Sequence, residues 1–366
     1  MFDLAQAADR DLVRLEVGEP DFDTPAHIVD AACEAARAGE THYTSNAGLP
    51  ELREAISNTL DREYDVTYDP EQFVVTNGGM EALHLGVLSV VEAGEELLIP
   101  SPSWPNYWTQ ARLADAVPVE IPMPEETGYA LDAERVIERM GEGTGAVVLC
   151  SPANPTGQVY DPDEMRAVVD AAAEHDAYVI ADEVYLGLTY DRDPVGLAAL
   201  TDRPEHVLTV GSCSKTYAMT GWRVGWLGGP QDVIDEVNKI HESTTGCAGS
   251  VAQHAAIAAL TGPQEPVEAM YDAFAERREY VADRIESMEG VSAPTPDGAF
   301  YAFLDVDLPG SSLDIAKRLL RERDVVLAPG DGFGEAGQGK LRLSFANSMA
   351  KLEQGLDGIE AAVREN

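Results

Sequence analysis

Between about residues 70 and 230, short apolar runs alternate with helix-like stretches, and this alternation is the tightest constraint in the 366-residue sequence. Runs at Phe73–Thr76, Glu96–Ile99, Val117–Ile121, Ala146–Cys150, Tyr178–Ala181, Val207–Val210 and Arg223–Leu227 have strand length and composition. Amphipathic stretches such as Met80–Val91 and Asp163–His175 lie between them. A helix between two strands carries the chain back across the sheet, so the strands run parallel and both faces are covered. The pattern predicts an α/β fold whose large domain, residues 31–262, holds a mostly parallel seven-stranded sheet.

From Pro263 the rhythm changes. A long charged helix over Val267–Met288 precedes strands at Ala299–Asp305, Val325–Leu327 and Lys340–Ala346, with helices at Leu313–Arg323 and Lys351–Glu365. That reads as a smaller α+β domain, residues 263–366. Gly18, Pro20 and Pro25 make Leu12–Pro25 an extended segment, so residues 1–30 are expected to form an arm packing with the small domain.

Charge narrows the partners. The chain carries 65 Asp and Glu against 25 Lys and Arg, a formal charge of −40. Nucleic acids and anionic membrane surfaces are polyanions and are excluded as partners on this ground. The four cysteines (Cys33, Cys150, Cys213 and Cys247) are widely spaced and form no CxxC pair, as in a reduced, intracellular protein. With no signal-peptide pattern and no apolar run of membrane-spanning length, the expected location is cytoplasmic.

Two motifs invite other readings. Gly332-Phe-Gly334-Glu-Ala-Gly337 matches GxGxxG, but a dinucleotide site needs those glycines to open a helix, and the alternating Lys340–Ala346 follows as a strand. The reading here is a flexible loop. Ser212-Cys-Ser214-Lys215 contains the SxxK arrangement of serine acylases, without the SDN and KTG elements that accompany it. No HExxH, Walker A or Cys/His metal cluster occurs, so no metal site is expected.

The informative residues sit at predicted strand ends. Ser151-Pro-Ala-Asn154-Pro-Thr-Gly157 follows one strand, Ala181-Asp182-Glu183-Val184-Tyr185 ends another, and Gly211-Ser-Cys-Ser-Lys215 through Arg223 follows a third. Ligands of parallel α/β sheets bind in the crevice beyond the carboxyl ends of the strands, so the three clusters converge on one cavity. Asp182 closes an apolar run, and its buried charge needs a cationic or hydrogen-bonding partner. Lys215 is one of only five lysines. With the cationic Arg223 nearby in a partly dry pocket, its amine becomes nucleophilic and can form a Schiff base. A lysine, an anion site and an acid for a basic ring nitrogen together point to pyridoxal 5′-phosphate.

With these residues in view, the sequence resembles the class I/II pyridoxal-phosphate-dependent aminotransferases of fold type I, the aspartate aminotransferase-like group. The likeness runs from Gly18-Glu-Pro-Asp-Phe-Asp-Thr-Pro25 to Arg342-Leu-Ser-Phe-Ala346. It implies that Lys215 holds the cofactor and shuttles a proton, that Asp182 keeps the pyridine nitrogen protonated, and that Tyr185 and Asn154 bond the 3′-oxygen. Trp104 would stack on the ring. Ser212, Ser214, Arg223 and the backbone of Gly79 and Met80 would hold the phosphate, where a helix N-terminus favours an anion. Tyr43 would reach the phosphate of a neighbouring subunit, which makes the enzyme a homodimer with shared sites. Arg342 would clamp the substrate α-carboxylate bidentately, with the Gly18 backbone close by.

The implied activity is ping-pong transfer of an amino group between an L-amino acid and a 2-oxo acid. A C–S β-lyase with the same cofactor and a non-catalytic ligand sensor of this fold are the alternatives. Dicarboxylate-selective relatives often place an arginine after the lysine block; here none occurs between Arg223 and Arg277, and only His241 sits in that stretch. Other aspartate-preferring relatives carry a lysine where this chain has Met80. Neutral or aromatic donors are therefore expected beside aspartate, with Met80 and Trp104 as apolar walls.

So acidic a chain repels itself at low ionic strength, whereas at 1 M salt the screening length falls to about 3 Å. We expect a salt-adapted protein whose melting temperature rises with KCl up to molar concentrations. A melting curve indifferent to KCl would remove that inference.

Overall fold

The computed structural model describes residues 1–6 and 10–366; residues 7–9 of the expected arm lie outside the described residues. Among the described residues the strands are, in order, β1 (Val13–Arg14), β2 (Phe73–Thr76), β3 (Glu96–Ser101), β4 (Val117–Pro122), β5 (Thr144–Cys150), β6 (Tyr178–Asp182), β7 (Val207–Ser212), β8 (Gly225–Gly228), β9 (Val291–Ser292), β10 (Tyr301–Val306), β11 (Val325–Val326), β12 (Ala328–Pro329) and β13 (Lys340–Ser344). The seven from β2 to β8 form one sheet in the order β2-β8-β7-β6-β5-β3-β4. β8 alone runs opposite to the other six.

The inner strands are apolar on both faces because both are covered. All seven residues of β5 and all six of β7 are buried. Helices Gly79–Val90 and Gln231–Thr244 pack on one side, with Leu83, Val87 and Val237 in the same core as Val148, Leu208 and Leu227. On the other, Val168 and Ala172 of helix Pro162–Glu174 join Val147, Val179 and Val207. Asp161 caps that helix through the Asp163 N–H, with Pro162 in its first turn.

Register places the site. Cys150 pairs with Asp182, Asp182 with Val210, Ser212 with Gly225, and Thr76 with Gly225. The ends of β2, β5, β6 and β7 and the start of β8 thus form one continuous edge.

The C-terminal region holds a four-stranded antiparallel sheet, β12-β13-β10-β9, with Phe303 opposite Arg342. The expected strand Val325–Leu327 ends one residue early, at Val326. β11 pairs in parallel with β1 of the arm, and after Leu327 the chain passes to β12 in the other sheet. The arm is thereby stitched to this region. The expected strand at Arg223 begins two residues later, at Gly225, because Thr220–Trp222 forms a 3₁₀ turn and Arg223 takes φ +56°. Tight contact explains the glycine at the start of β8: a Cβ on Gly225 would stand 2.7 Å from the Gly78 carbonyl carbon and the Gly79 nitrogen.

Candidate active site

The strand-end edge opens into a cavity of about 310 Å³ lined by Gly18, Gly79, Met80, Trp104, Asn154, Asp182, Tyr185, Ser212, Ser214, Lys215, Arg223 and Arg342. Every sequence-predicted site residue except Tyr43 is among them. Tyr43 is 96% exposed and lies with Trp222 and Cys247 on a separate broad hollow.

Asp182 ends β6 at 4% exposure. Burial raises its pKa, opposed first by the Tyr107 hydroxyl, which donates to Oδ2 at 2.6 Å, then by the Val184 N–H and the Lys215 charge. Its nearest partner is therefore a phenol. Tyr107 comes from helix Asn106–Leu113, and its ring meets Trp104 edge-on at 5.7 Å.

Lys215 donates to the Gly18 carbonyl at 2.6 Å and lies 5.7 Å from the Tyr185 ring. Its pKa falls to about 8, first through burial and next through the positive charge of Arg342. Arg223, the cation expected to act on it, contributes less than Arg342. The lysine does not address the serines of the SxxK motif. Ser212 donates its one proton to the Val224 carbonyl at 3.0 Å, which leaves its Oγ to accept from the Ser214 hydroxyl at 2.9 Å.

An anion cradle lies at one end. Helix Gly79–Val90 starts after Gly78, which takes φ +90°, and its first amides are free of intrahelical partners. Arg223 donates to the Thr220 and Asn77 carbonyls, and a Cβ on Gly78 would meet its guanidinium at 2.5 Å. Bare backbone, two hydroxyls and a guanidinium converge there, which fits a phosphate dianion.

At the other end Arg342 is 8% exposed. It donates to Asn154 Oδ1 at 2.8 Å and to the Glu16 carbonyl at 2.7 Å, while its Nε is buried without a partner. The Tyr185 hydroxyl bonds that of Tyr301 at 2.7 Å, and a Cβ on Gly18 would stand 2.1 Å from the Tyr301 oxygen. The missing side chain at Gly18 thus makes room for Tyr301. Anion cradle, amine, buried acid and unfilled guanidinium donor fit the chemistry of pyridoxal 5′-phosphate with an amino acid.

Tyr107 and Tyr301 were not among the expected residues. Tyr107 stands three residues after the expected Trp104, in Ser101-Pro-Ser-Trp104-Pro-Asn-Tyr107, whereas Tyr301 shows no local signal. His241 is not a cavity residue: it is fully buried, its Nδ1 2.9 Å from the Asn46 carbonyl and its Nε2 3.6 Å from Glu81. Among the described residues no group of His, Cys, Asp and Glu could hold a metal ion, and no helix is long and apolar enough to cross a membrane.

The sequence model of the family described as aminotransferase class I and II matches residues 10–359. A probable aspartate aminotransferase of Methanocaldococcus jannaschii is 38% identical over 96% of this chain and 94% of its own length. The structure of the aspartate aminotransferase from Thermus thermophilus with maleate superposes with a TM-score of 0.93 at 36% identity, covering 98% of this chain and 94% of that one. An aromatic aminotransferase from Pyrococcus horikoshii superposes at 0.94 and 36% identity, over 100% and 99%.

The Tyr107 bond is open to test. Tyr107→Phe leaves a buried carboxylate one donor short and should cost about 1–3 kcal/mol of stability in urea unfolding. The folded-state pKa of Asp182 is already raised, and losing the donor raises it further, so the cost appears at neutral pH and fades in acid. A loss independent of pH would assign the effect to packing.

Proposed function

The chain belongs to the class I and II aminotransferases, which depend on pyridoxal 5′-phosphate, and we propose the following division of labour among its residues. The observation that carries it is the Lys215 amine, its pKa held near 8, sharing one cavity with the buried Asp182. When bound, the cofactor supplies an aldehyde that takes up an amino group and a ring that withdraws electrons from the substrate Cα.

Lys215 would hold that aldehyde through its ε-amine, and the same amine, when free, would move the proton at the substrate Cα. Asp182, oriented by Tyr107, holds a proton on the ring nitrogen, and the low-dielectric site strengthens that pair. Tyr185 and Asn154 donate to the ring oxygen, and Trp104 covers a ring face. Ser212, Ser214, Arg223 and the amides of Gly79 and Met80 bind the phosphate. Arg342 takes the substrate carboxylate on its free N–H groups, near the Gly18 backbone.

Residues 1–30, 31–262 and 263–366 act in this reading as arm, large domain and small domain. A homodimer is supported by Tyr43, whose exposed ring offers itself to the phosphate site of a second copy. The four free thiols fit a reducing cytoplasm, and the −40 charge fits a salt-rich one.

Lys215, Arg223 and Arg342 are the cations of the cavity lining, and each already has a task. Among the described residues no further cation lines the cavity for a distal carboxylate, which favours neutral or aromatic donors beside Met80 and Trp104. The second reading, aspartate, is favoured by the likeness to aspartate aminotransferases. Measuring kcat/KM for a panel of L-amino acids at high KCl, with one 2-oxo acid fixed, separates the two.

Lys215→Ala should abolish transamination, because loss of the proton transfer alone removes about 10²–10⁴-fold in rate. Only the neutral amine attacks an aldehyde, so covalent cofactor uptake by the apo-protein should quicken with rising pH around a midpoint near 8. Stopped-flow absorbance checks this, and a midpoint near the ordinary lysine value would show that the amine is not buried as described.

A further inference from the structure

The glycine-rich segment that resembles a nucleotide fingerprint has another task in this fold. Its glycines fold the segment back on itself. A Cβ on Gly330 would stand 2.1 Å from the Gly337 carbonyl oxygen, and one on Gly337 would stand 2.1 Å from the Gly330 oxygen. Gly334 takes φ +108°, and a Cβ there would meet the Glu120 carboxylate at 2.3 Å. Two short 3₁₀ turns, Gly330–Phe333 and Glu335–Gly337, flank it and turn Phe333 inward.

Phe333 is buried. Its ring centre lies 5.0 Å from the guanidinium carbon of Arg342, and the Tyr301 ring lies 4.4 Å from the same carbon. Phe303 closes on Phe333 edge-on at 6.0 Å. The loop leaves β12 and returns into β13, yet its outer side is fastened to the far end of β3. The Ser103 N–H donates to the Phe333 carbonyl at 2.8 Å. Glu120 Oε1 accepts from the Glu335 N–H and from the Ser101 hydroxyl, both at 2.6 Å. Trp104, a wall of the cavity, directly follows Ser103, so that wall and the ring on Arg342 share one anchor.

Arg342 needs such support. Two of its N–H groups are spent on Asn154 and the Glu16 carbonyl, and its Nε has no partner. Bidentate capture of a carboxylate depends on the guanidinium plane, and a cation of this shape settles over aromatic faces.

We propose that Phe333, carried by the glycine loop and pinned through Ser103 and Glu120, is a positioning residue that fixes the guanidinium plane of Arg342 for the substrate carboxylate. The inference rests on the aminotransferase reading of the site. It assigns the 330–339 loop to substrate recognition.

The test compares wild type with Phe333→Leu, Phe333→Tyr and Glu120→Ala. Steady-state kinetics use an accepted amino acid and the primary amine of the same side chain that lacks the carboxylate. Calorimetry of the holoenzyme uses two non-reacting carboxylates, 3-phenylpropionate and succinate. Phe333→Leu should raise KM for the amino acid, and weaken carboxylate binding, by about 3- to 30-fold. Its kcat should stay within about twofold, since uniform binding is what is lost. The amine should react as it does with wild type, Phe333→Tyr should restore KM, and Glu120→Ala should show the same pattern more weakly. Unchanged KM and carboxylate affinity in Phe333→Leu, or equal losses for amino acid and amine, would overturn the proposal. A wild-type protein that binds carboxylates without transaminating would remove the reaction and leave Phe333 to be judged by calorimetry. One that binds no carboxylate would overturn both.

Discussion

A carboxylate buried at the end of a central strand is the constraint around which the rest is arranged. An ionised side chain as enclosed as Asp182 costs several kcal/mol unless its surroundings answer it. Here the answer comes from three elements: the Tyr107 hydroxyl from one helix, the Val184 amide from its own turn, and the Lys215 charge from the next strand end. Parallel register sets β5, β6 and β7 side by side, so residues far apart in sequence reach the same few ångströms. The acid is tolerated because the sheet edge was built to receive it.

The same edge explains the lysine. Burial and the positive Arg342 depress its pKa, while Asp182 and Glu19 hold it up. Arg342 arrives from the antiparallel C-terminal sheet, and Gly18, which accepts from Lys215, arrives from the arm. β1 pairing with β11 ties that arm to the region carrying Arg342. The site is therefore an assembly of two sheets and a strap, and its electrostatic balance depends on how they meet.

The amino-acid order makes the central sheet and its polar edge readable, because continuous apolar strands and clustered strand-end residues are local signals. All expected cavity residues lie together, with Tyr43 outside. What was not readable is tertiary. Tyr301 bonds Tyr185 across 116 positions, and nothing near it in the chain announces the pairing. Leu327 lies between two strand pairings in a run that looks uniform, since hydrophobicity carries no information about which sheet a residue joins. Arg223 lies in a left-handed turn because its neighbours pack that way, against the ordinary preference of a side chain. The glycine segment is the reverse case, a recognisable motif whose purpose only its backbone crossings disclose.

β8 is the one strand of the large sheet that runs against the others, and it begins opposite Ser212, where β7 ends. Residues 213–224 therefore form a hairpin whose two feet are locked by pairing, with Lys215 near one foot and Arg223 beside the other. The pairing of Ser212 with Gly225 fixes both ends of the segment, so amine and guanidinium are held by one connection and a change in its length would shift one against the other.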